Sequence, residues 1–596
     1  MNRVGHCWRC EAVCTQLCSR CRVAYYCSKK CQKQDKWRHQ PDCDAAALKK
    51  QCMGCGRTDE GMLKCSTCLR SWYCDRDCQR KNWESHKEQC HEVVIKTIQV
   101  AKSIKMNRIN ARLFPGMERT YYWGNVPAVD LLNLPMNEGE EYSNPLALLL
   151  CGVGDPRNVL LTTASLPDVY TQQVSFVLND ICPCTLARTV LLLYMLYKGQ
   201  NDGIGTVTRI WYSLRISESD FSLLMSALRD LLDASDLNTL TNGFVNMVSV
   251  DQLGKLKEVW QVWVQLSSLT GPWVTKQRND AFESDTGSEA GIFNYLNSIP
   301  KDHKRSAKLW MKDGLFASKC VKSSKLTREN VTLTSYLFQY EPGEQDDYDF
   351  NIEPSNLPFS SWDYKAMTSV CYNDSLPEMF STYLSYIMNK CIDKLRSGRV
   401  KLQVILSDCM MIDPFLPVDL TYDRIATSNL SDYISLPSLL TKFKGYLNTS
   451  NSHSVLMTEM HNWVDDYLPE VKADVFLRAP ELTPKVVKDT NNPLLVATGH
   501  LTSLIEYHNI IPDFQLYLRA ALIESYSETE LESFRKQRKK LPSIKTIISD
   551  LGLELRDYVR NENTVFPFKW AVNCRRVNLN RGDEFTLEWT LPTSSQ

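Results

Sequence analysis

The chain has no surplus of either charge: 69 Lys and Arg balance 69 Asp and Glu over 596 residues. A balance of that kind provides no chain-wide field for nucleic acid or an anionic surface. There is no run of eighteen apolar residues, so no segment reads as a membrane-spanning helix. No secretory signal precedes Cys7, and the 23 cysteines are expected in a reducing compartment where a disulfide framework does not persist. Cysteine becomes scarce after residue 90. Fifteen of the 23 lie before residue 91, and the eight that follow are scattered, as buried thiols would be. Hydrophobic residues make up 43%, ordinary for a globular chain, and the length asks for several domains.

The early cysteines form two copies of one pattern. The first copy is Cys7-x2-Cys10, Cys18-x2-Cys21, Cys27-x3-Cys31 and His39-x3-Cys43; the second is Cys52-x2-Cys55, Cys65-x2-Cys68, Cys74-x3-Cys78 and His86-x3-Cys90. Each copy offers seven thiols and one imidazole, enough for two tetrahedral sets. Thiolate with imidazole in fours selects zinc over hard cations, and a full set leaves no position for a reactive water. These are therefore expected to be structural zinc sites, four per chain. Spacing alone does not distinguish interleaved from sequential pairing. Each copy is too short to fold by burial alone, so metal has to supply the difference, about 10–16 kcal/mol per structural zinc. Residues 1–90 hold 18 Lys and Arg against 10 Asp and Glu. Fourteen thiolates on four divalent ions reduce that surplus to about +2, too little for a phosphate-gripping stripe. Nucleic acid is not an expected partner.

Both copies resemble the MYND zinc finger, with a Gln and a Trp ahead of the histidine. The second reads Cys78-Gln79-x3-Trp83-x2-His86-x3-Cys90; the first shifts its tryptophan, Cys31-Gln32-x4-Trp37-x-His39, and carries a spare thiol, Cys14. The resemblance implies interleaved sets: Cys7, Cys10, Cys27, Cys31 with Cys18, Cys21, His39, Cys43, then Cys52, Cys55, Cys74, Cys78 with Cys65, Cys68, His86, Cys90. It also implies a docking surface for proline-containing peptides at Gln79 and Trp83.

The fingers are read as residues 1–47 and 48–92, followed by a helical linker, 93–120, with apolar residues at helical spacing and a basic face expected to be solvated. Residues 121–200 open an α/β domain. Leu146–Cys151 is a continuous apolar run, as in a strand buried on both faces, and ends in Gly152-Val-Gly154-Asp155. Val174–Leu178 is a second strand, ending in Asn179-Asp180, and Pro183–Tyr197 reads as a helix. Residues 201–395 form a mostly helical insertion with an acid-rich loop over 341–353. Residues 396–596 complete the α/β domain, with strands at Val400–Leu406, Tyr422–Asn429 and Ser454–Glu459, and a C-terminal hairpin about Asn580-Arg-Gly-Asp583.

Strand, glycine turn, helix, strand and acid make up the order of a nucleotide-binding crossover. The outline resembles a class I S-adenosylmethionine-dependent methyltransferase. Four pieces resemble the dynein axonemal assembly factor 3 family more specifically: Trp123-Gly-x-x-Pro-Ala-Val-Asp130-Leu131, Gly152-Val-Gly-Asp-Pro-Arg157, Leu178-Asn-Asp180 with Ala187-Arg188, and Tyr422-Asp-Arg-Ile-x-x-Ser-Asn-Leu430. The resemblance implies an S-adenosylmethionine site with Gly152 and Gly154 at the methionine end, Asp180 on the ribose and Asp408 at the adenine end. Cys151 stands where such enzymes place an acid, and Ser428-Asn-Leu-Ser-Asp-Tyr433 stands in place of Asn/Asp-Pro-Pro-Tyr. No catalytic residue is assigned. The Asn-His-Ser-Cys signature of SET-type lysine methyltransferases is absent.

The resulting expectation is an adaptor: two protein-binding MYND fingers on a methyltransferase-like domain, in the cytoplasmic assembly of axonemal dynein or other complexes. The alternatives are an active protein methyltransferase and a nuclear co-regulator. Elemental analysis of the native protein is expected to give four zinc ions per chain, unchanged in Cys14→Ser. Two or fewer would overturn the double finger.

Overall fold

The computed structural model describes residues 5–592 apart from 11, 114–119, 200–202, 285–295, 297–298, 319–320, 337–347, 353–356, 491–503, 506, 537–539 and 571–581. Most of the acid-rich loop, most of the first arm of the C-terminal hairpin and part of its turn lie outside the described residues.

Each finger is a pair of small knuckles followed by a helix. Helix α1, Lys29–Ala46, starts at Ser28, whose hydroxyl accepts from the Cys31 amide, as an N-cap should. Helix α2, Arg76–Leu113, starts where Asp75 accepts from the Cys78 amide at 2.7 Å. It runs unbroken out of the second finger for 38 residues. Val94, Ile98, Ala101 and Ile104 form its buried stripe and pack against the helix Ile511–Ile523 of the α/β unit. The basic face, expected from the sequence to be solvated, is in part ion-paired, with Lys105 exposed. Lys96 pairs with Glu470 at 2.5 Å, Lys102 with Glu528 and Glu532, and Arg108 with Glu524 at 2.6 Å. Acidic residues more than 350 positions later meet it, which no local pattern reveals.

The main sheet has eight strands: β1 Leu146–Cys151, β2 Val174–Asp180, β3 Val245–Asn246, β4 Val400–Leu406, β5 Arg424–Ala426, β6 Val455–Met460, β7 Glu554–Leu555 and β8 Phe585–Thr590. Their order across the sheet is β3-β4-β2-β1-β5-β6-β8-β7. The first six are parallel to one another, and β8 runs antiparallel to both β6 and β7. Successive residues of β1 serve opposite layers, as the two-residue period requires. Leu146, Leu148 and Leu150 join the core with helices α3, Arg157–Ser165, and α4, Pro183–Lys198. Ala147, Leu149 and Cys151 join the core that holds α2. The helical insertion is part of the first layer. It supplies edge strand β3, and its helix Leu376–Arg396 packs on α3.

Several residues of the motifs that carried the family resemblance act as internal staples. Arg188, buried on α4, donates to the carbonyls of Ile210, Trp211 and Thr332, and burial pushes its guanidinium down to about 10. Asp423 accepts from the Ala147 amide, Asn448 and Asn451. Arg424 donates to the carbonyls of Leu131 and Leu132 and pairs with Glu138 at 2.7 Å, both side chains fully buried. Burial acts to raise the Glu138 carboxyl, but the charge and hydrogen bond of Arg424 outweigh it and hold it below the usual range. Replacing one member of such a pair leaves a buried charge uncompensated. Glu138→Ala is expected to cost about 3–5 kcal/mol, read as a lowered midpoint in urea unfolding.

Candidate metal centres and the carboxyl edge of the sheet

The knuckles aim their sulfurs by backbone geometry. Arg22 and Leu69, each just after the second cysteine of a pair, have φ of 56° and 59°. That left-handed turn brings the following amide back, so Val23 and Arg70 donate to Cys21 and Cys68 sulfur at 3.5 Å. The helices then deliver the remaining ligands: Cys31, His39 and Cys43 from α1, and Cys78, His86 and Cys90 from α2.

Sixteen side chains converge in four groups, the ligand atoms of each lying within 4.8 Å of one another. They are Cys7, Cys10, Cys27, Cys31; Cys18, Cys21, His39, Cys43; Cys52, Cys55, Cys74, Cys78; and Cys65, Cys68, His86, Cys90. The grouping is the interleaved one, and Cys14 belongs to none. A tetrahedron with zinc–sulfur bonds of about 2.3 Å has edges of about 3.8 Å. Cys10 and Cys31 sulfurs are 3.8 Å apart, Cys65 and Cys90 3.9 Å, and Cys18 and Cys43 4.0 Å. The donor sets and their spacing fit zinc. In the first finger, hydrogen bonding from Cys43 outweighs burial and, with His39, pushes Cys21 down to about 3, favouring the thiolate that binds metal.

The two fingers differ beyond their ligands. In the second, Ser71 hydroxyl lies 3.3 Å from His86 Nδ1, the nitrogen turned away from the sulfurs. Such an outer partner fixes the ring of a metal-binding histidine. In the first, Ala24 holds that place: Cys18 amide donates to the Ala24 carbonyl just as Cys65 amide donates to that of Ser71. His39 Nδ1 is buried with no hydrogen-bond partner among the described residues.

The tryptophans differ as well. Trp37 is two residues before its histidine and Trp83 is three before its own, and one residue is about 100° around a helix. Trp37 consequently turns toward the α/β unit and stacks on Tyr507, centroids 4.5 Å apart and planes 6° from parallel. Trp83 lies edge-on to His86 at 6.1 Å and stays 44% exposed. Gln79, half-buried, is four residues earlier on the same face of α2.

The fingers are bound to the α/β unit by polar contacts that the sequence did not signal. Arg519 donates to the Ser66 and Thr67 carbonyls inside a zinc knuckle. Arg70 pairs with Asp513 at 2.9 Å, Lys64 donates to Gln515 at 3.0 Å, and Lys569 pairs with Asp42 at 2.5 Å. Clefts of about 570, 370 and 530 Å³ lie along this seam.

The second group of residues, Gly152, Gly154, Asp180 and Asp408, comes together on the carboxyl edge of the sheet. Strand order reverses about β1, the place where open α/β sheets hold ligands. Gly152 and Gly154 have φ of +66° and +61°, conformations that favour glycine. Leu430 overlies this turn: a Cβ on Gly152 would stand 3.5 Å from it. Both oxygens of Asp180 are engaged, accepting from the Gly154 amide at 3.1 Å and the Cys182 amide at 3.0 Å. Burial raises its carboxyl despite those bonds. Asp408 accepts from the Met410 amide at 2.8 Å and caps a short turn. Asp180 thus buttresses the glycine turn, and the carboxylate has no oxygen left without a backbone partner.

Residues 52–90 match the model of the MYND finger, and residues 122–216 match that of a domain of unknown function, DUF4470. No curated protein and no solved structure matches the chain. The second finger is therefore MYND-type by sequence, a class of zinc finger that generally serves as a protein-interaction module, and its two ligand sets fit zinc by geometry. Ser71→Ala is expected to weaken zinc in the second finger about 10- to 100-fold, read by chelator competition, with the first finger unaffected.

Proposed function

We propose that the chain is a zinc-dependent adaptor in which the second finger docks a proline-containing peptide and the α/β unit serves as its rigid support. One observation carries this reading: Trp83 stays exposed beside the zinc core, whereas the corresponding ring of the first finger is stacked on Tyr507. Exposed tryptophan on a rigid base is the kind of side chain that dominates interfaces. Gln79, on the same helix face, supplies a donor and an acceptor for a peptide backbone. The first finger, in this reading, is a structural clamp.

The role that the family resemblance supplies is the cytoplasmic assembly of large complexes, axonemal dynein among them; nuclear co-regulation is the rival setting. The rival chemistry is S-adenosylmethionine-dependent methyl transfer, favoured by the left-handed glycine turn at the point where strand order reverses. A carboxylate already holding two amides is poorly placed to take a ribose diol as well, so the scaffold reading is preferred. Fold alone does not transfer activity.

Trp83→Ala is expected to abolish binding of a proline-rich peptide while zinc stays at the wild-type level, and Trp37→Ala is expected to leave it intact. Equal peptide affinity in Trp83→Ala and wild type, by calorimetry, would remove the docking function. Saturable binding of S-adenosylmethionine in the same instrument would instead favour the enzyme.

A further inference from the structure

The cleft of about 370 Å³ between the first finger and the C-terminal part of the α/β unit has the makings of a second binding site. Its size falls in the range of ligand pockets. Trp8 and Tyr25 wall it on the finger side, and Tyr558 and Phe568 on the other. Aromatic walls of this kind suit an apolar side chain.

Three cations stand around it, and two are spoken for. Arg38 bonds Asp35 and the Trp8 carbonyl, and Lys569 pairs with Asp42. The Lys365 ammonium has no partner among the described residues. Among the described residues, Lys365 is thus the one lysine or arginine lining the cleft without an acidic partner.

The floor holds an independent sign of a missing partner. His39 lines the cleft. With Nε2 turned to the Cys21 sulfur at 3.5 Å, a metal-bound His39 carries its proton on Nδ1. That Nδ1 is buried without an acceptor among the described residues, in a residue only 5% exposed. The second finger satisfies the same atom with Ser71; the first has Ala24. An unmet buried donor is costly. Trp8, half-buried, lies edge-on to the His39 ring at 5.2 Å and lines the cleft beside it.

We propose that this cleft binds a short peptide segment of a partner protein in which an apolar residue stands next to an acidic one. The apolar side chain lies between the aromatic walls, the carboxylate meets Lys365, and a backbone carbonyl takes the proton of His39 Nδ1 once Trp8 turns. The site is distinct from Trp83 and does not depend on the docking function of the second finger.

The test uses the full-length, zinc-loaded protein and a panel of acetylated, amidated tetrapeptides with aspartate next to leucine, phenylalanine or proline. Matched peptides carry lysine in place of aspartate. Saturable binding of an aspartate peptide, absent for its lysine match, is expected. Lys365→Glu is expected to weaken it at least about tenfold, and Ala24→Ser, which offers His39 an internal acceptor, by roughly 2- to 12-fold, with zinc content unchanged in both. In protein labelled with nitrogen-15 at histidine, the peptide is expected to shift His39 Nδ1 and leave His86 unmoved. The proposal is overturned by no saturable binding at millimolar peptide, by equal binding of aspartate and lysine peptides, or by wild-type affinity in Lys365→Glu. Loss of binding in Trp83→Ala would put the peptide on the second finger and overturn it equally.

Discussion

Helix α2 is the constraint on which the rest of the molecule depends. Its first half carries Cys78, His86 and Cys90 into two metal sets, and its second half carries Val94, Ile98, Ala101 and Ile104 into the core of the α/β unit. Coordination fixes the helix at one end to within the tolerance of a metal–ligand bond. Hydrophobic burial fixes it at the other. A helix that answers to both cannot turn without breaking one, so the second finger is held in a set orientation. Arg519, reaching from the core into the knuckle of Ser66 and Thr67, adds a second tie between the same two bodies.

That rigidity gives meaning to the unequal fingers. Two copies with the same ligand order are used differently because of single-residue changes. A shift of one position swings Trp37 onto Tyr507 and leaves Trp83 outside. Alanine in place of serine leaves His39 without the acceptor that His86 has. Neither change touches a ligand, so both copies keep complete ligand sets. The metal holds each fold, and the residues around it are free to diverge toward packing in one copy and exposure in the other.

The α/β unit illustrates how a motif with functional connotations comes to serve structure. Asp155, Asp180, Arg188, Asp423 and Arg424 all lie in or beside the pieces that carried the family resemblance, and each is committed to backbone groups or to a buried ion pair. Buried polar side chains have to be satisfied, and here they join segments far apart in the chain. Residue types typical of a ligand site therefore also serve to lock a large insertion onto a sheet.

The sequence by itself determined the four Cys/His ligand groups and the strands Leu146–Cys151 and Val400–Leu406, whose bounds match the reading residue for residue. These are local properties: a ligand spacing, or an apolar run between turns, needs no knowledge of the rest of the chain. Interleaving of the metal sets came from family resemblance, because spacing allows both pairings, and the side chains converge in the interleaved groups. Only the tertiary structure decided that the basic face of α2 is in part ion-paired and that Trp37 and Trp83 have opposite fates. It alone showed that the insertion donates an edge strand and that both oxygens of Asp180 hold the glycine turn. Most of these depend on a partner hundreds of residues away or on the direction a side chain takes from its helix, and Asp180 meets Gly154 only because β1 and β2 pair side by side.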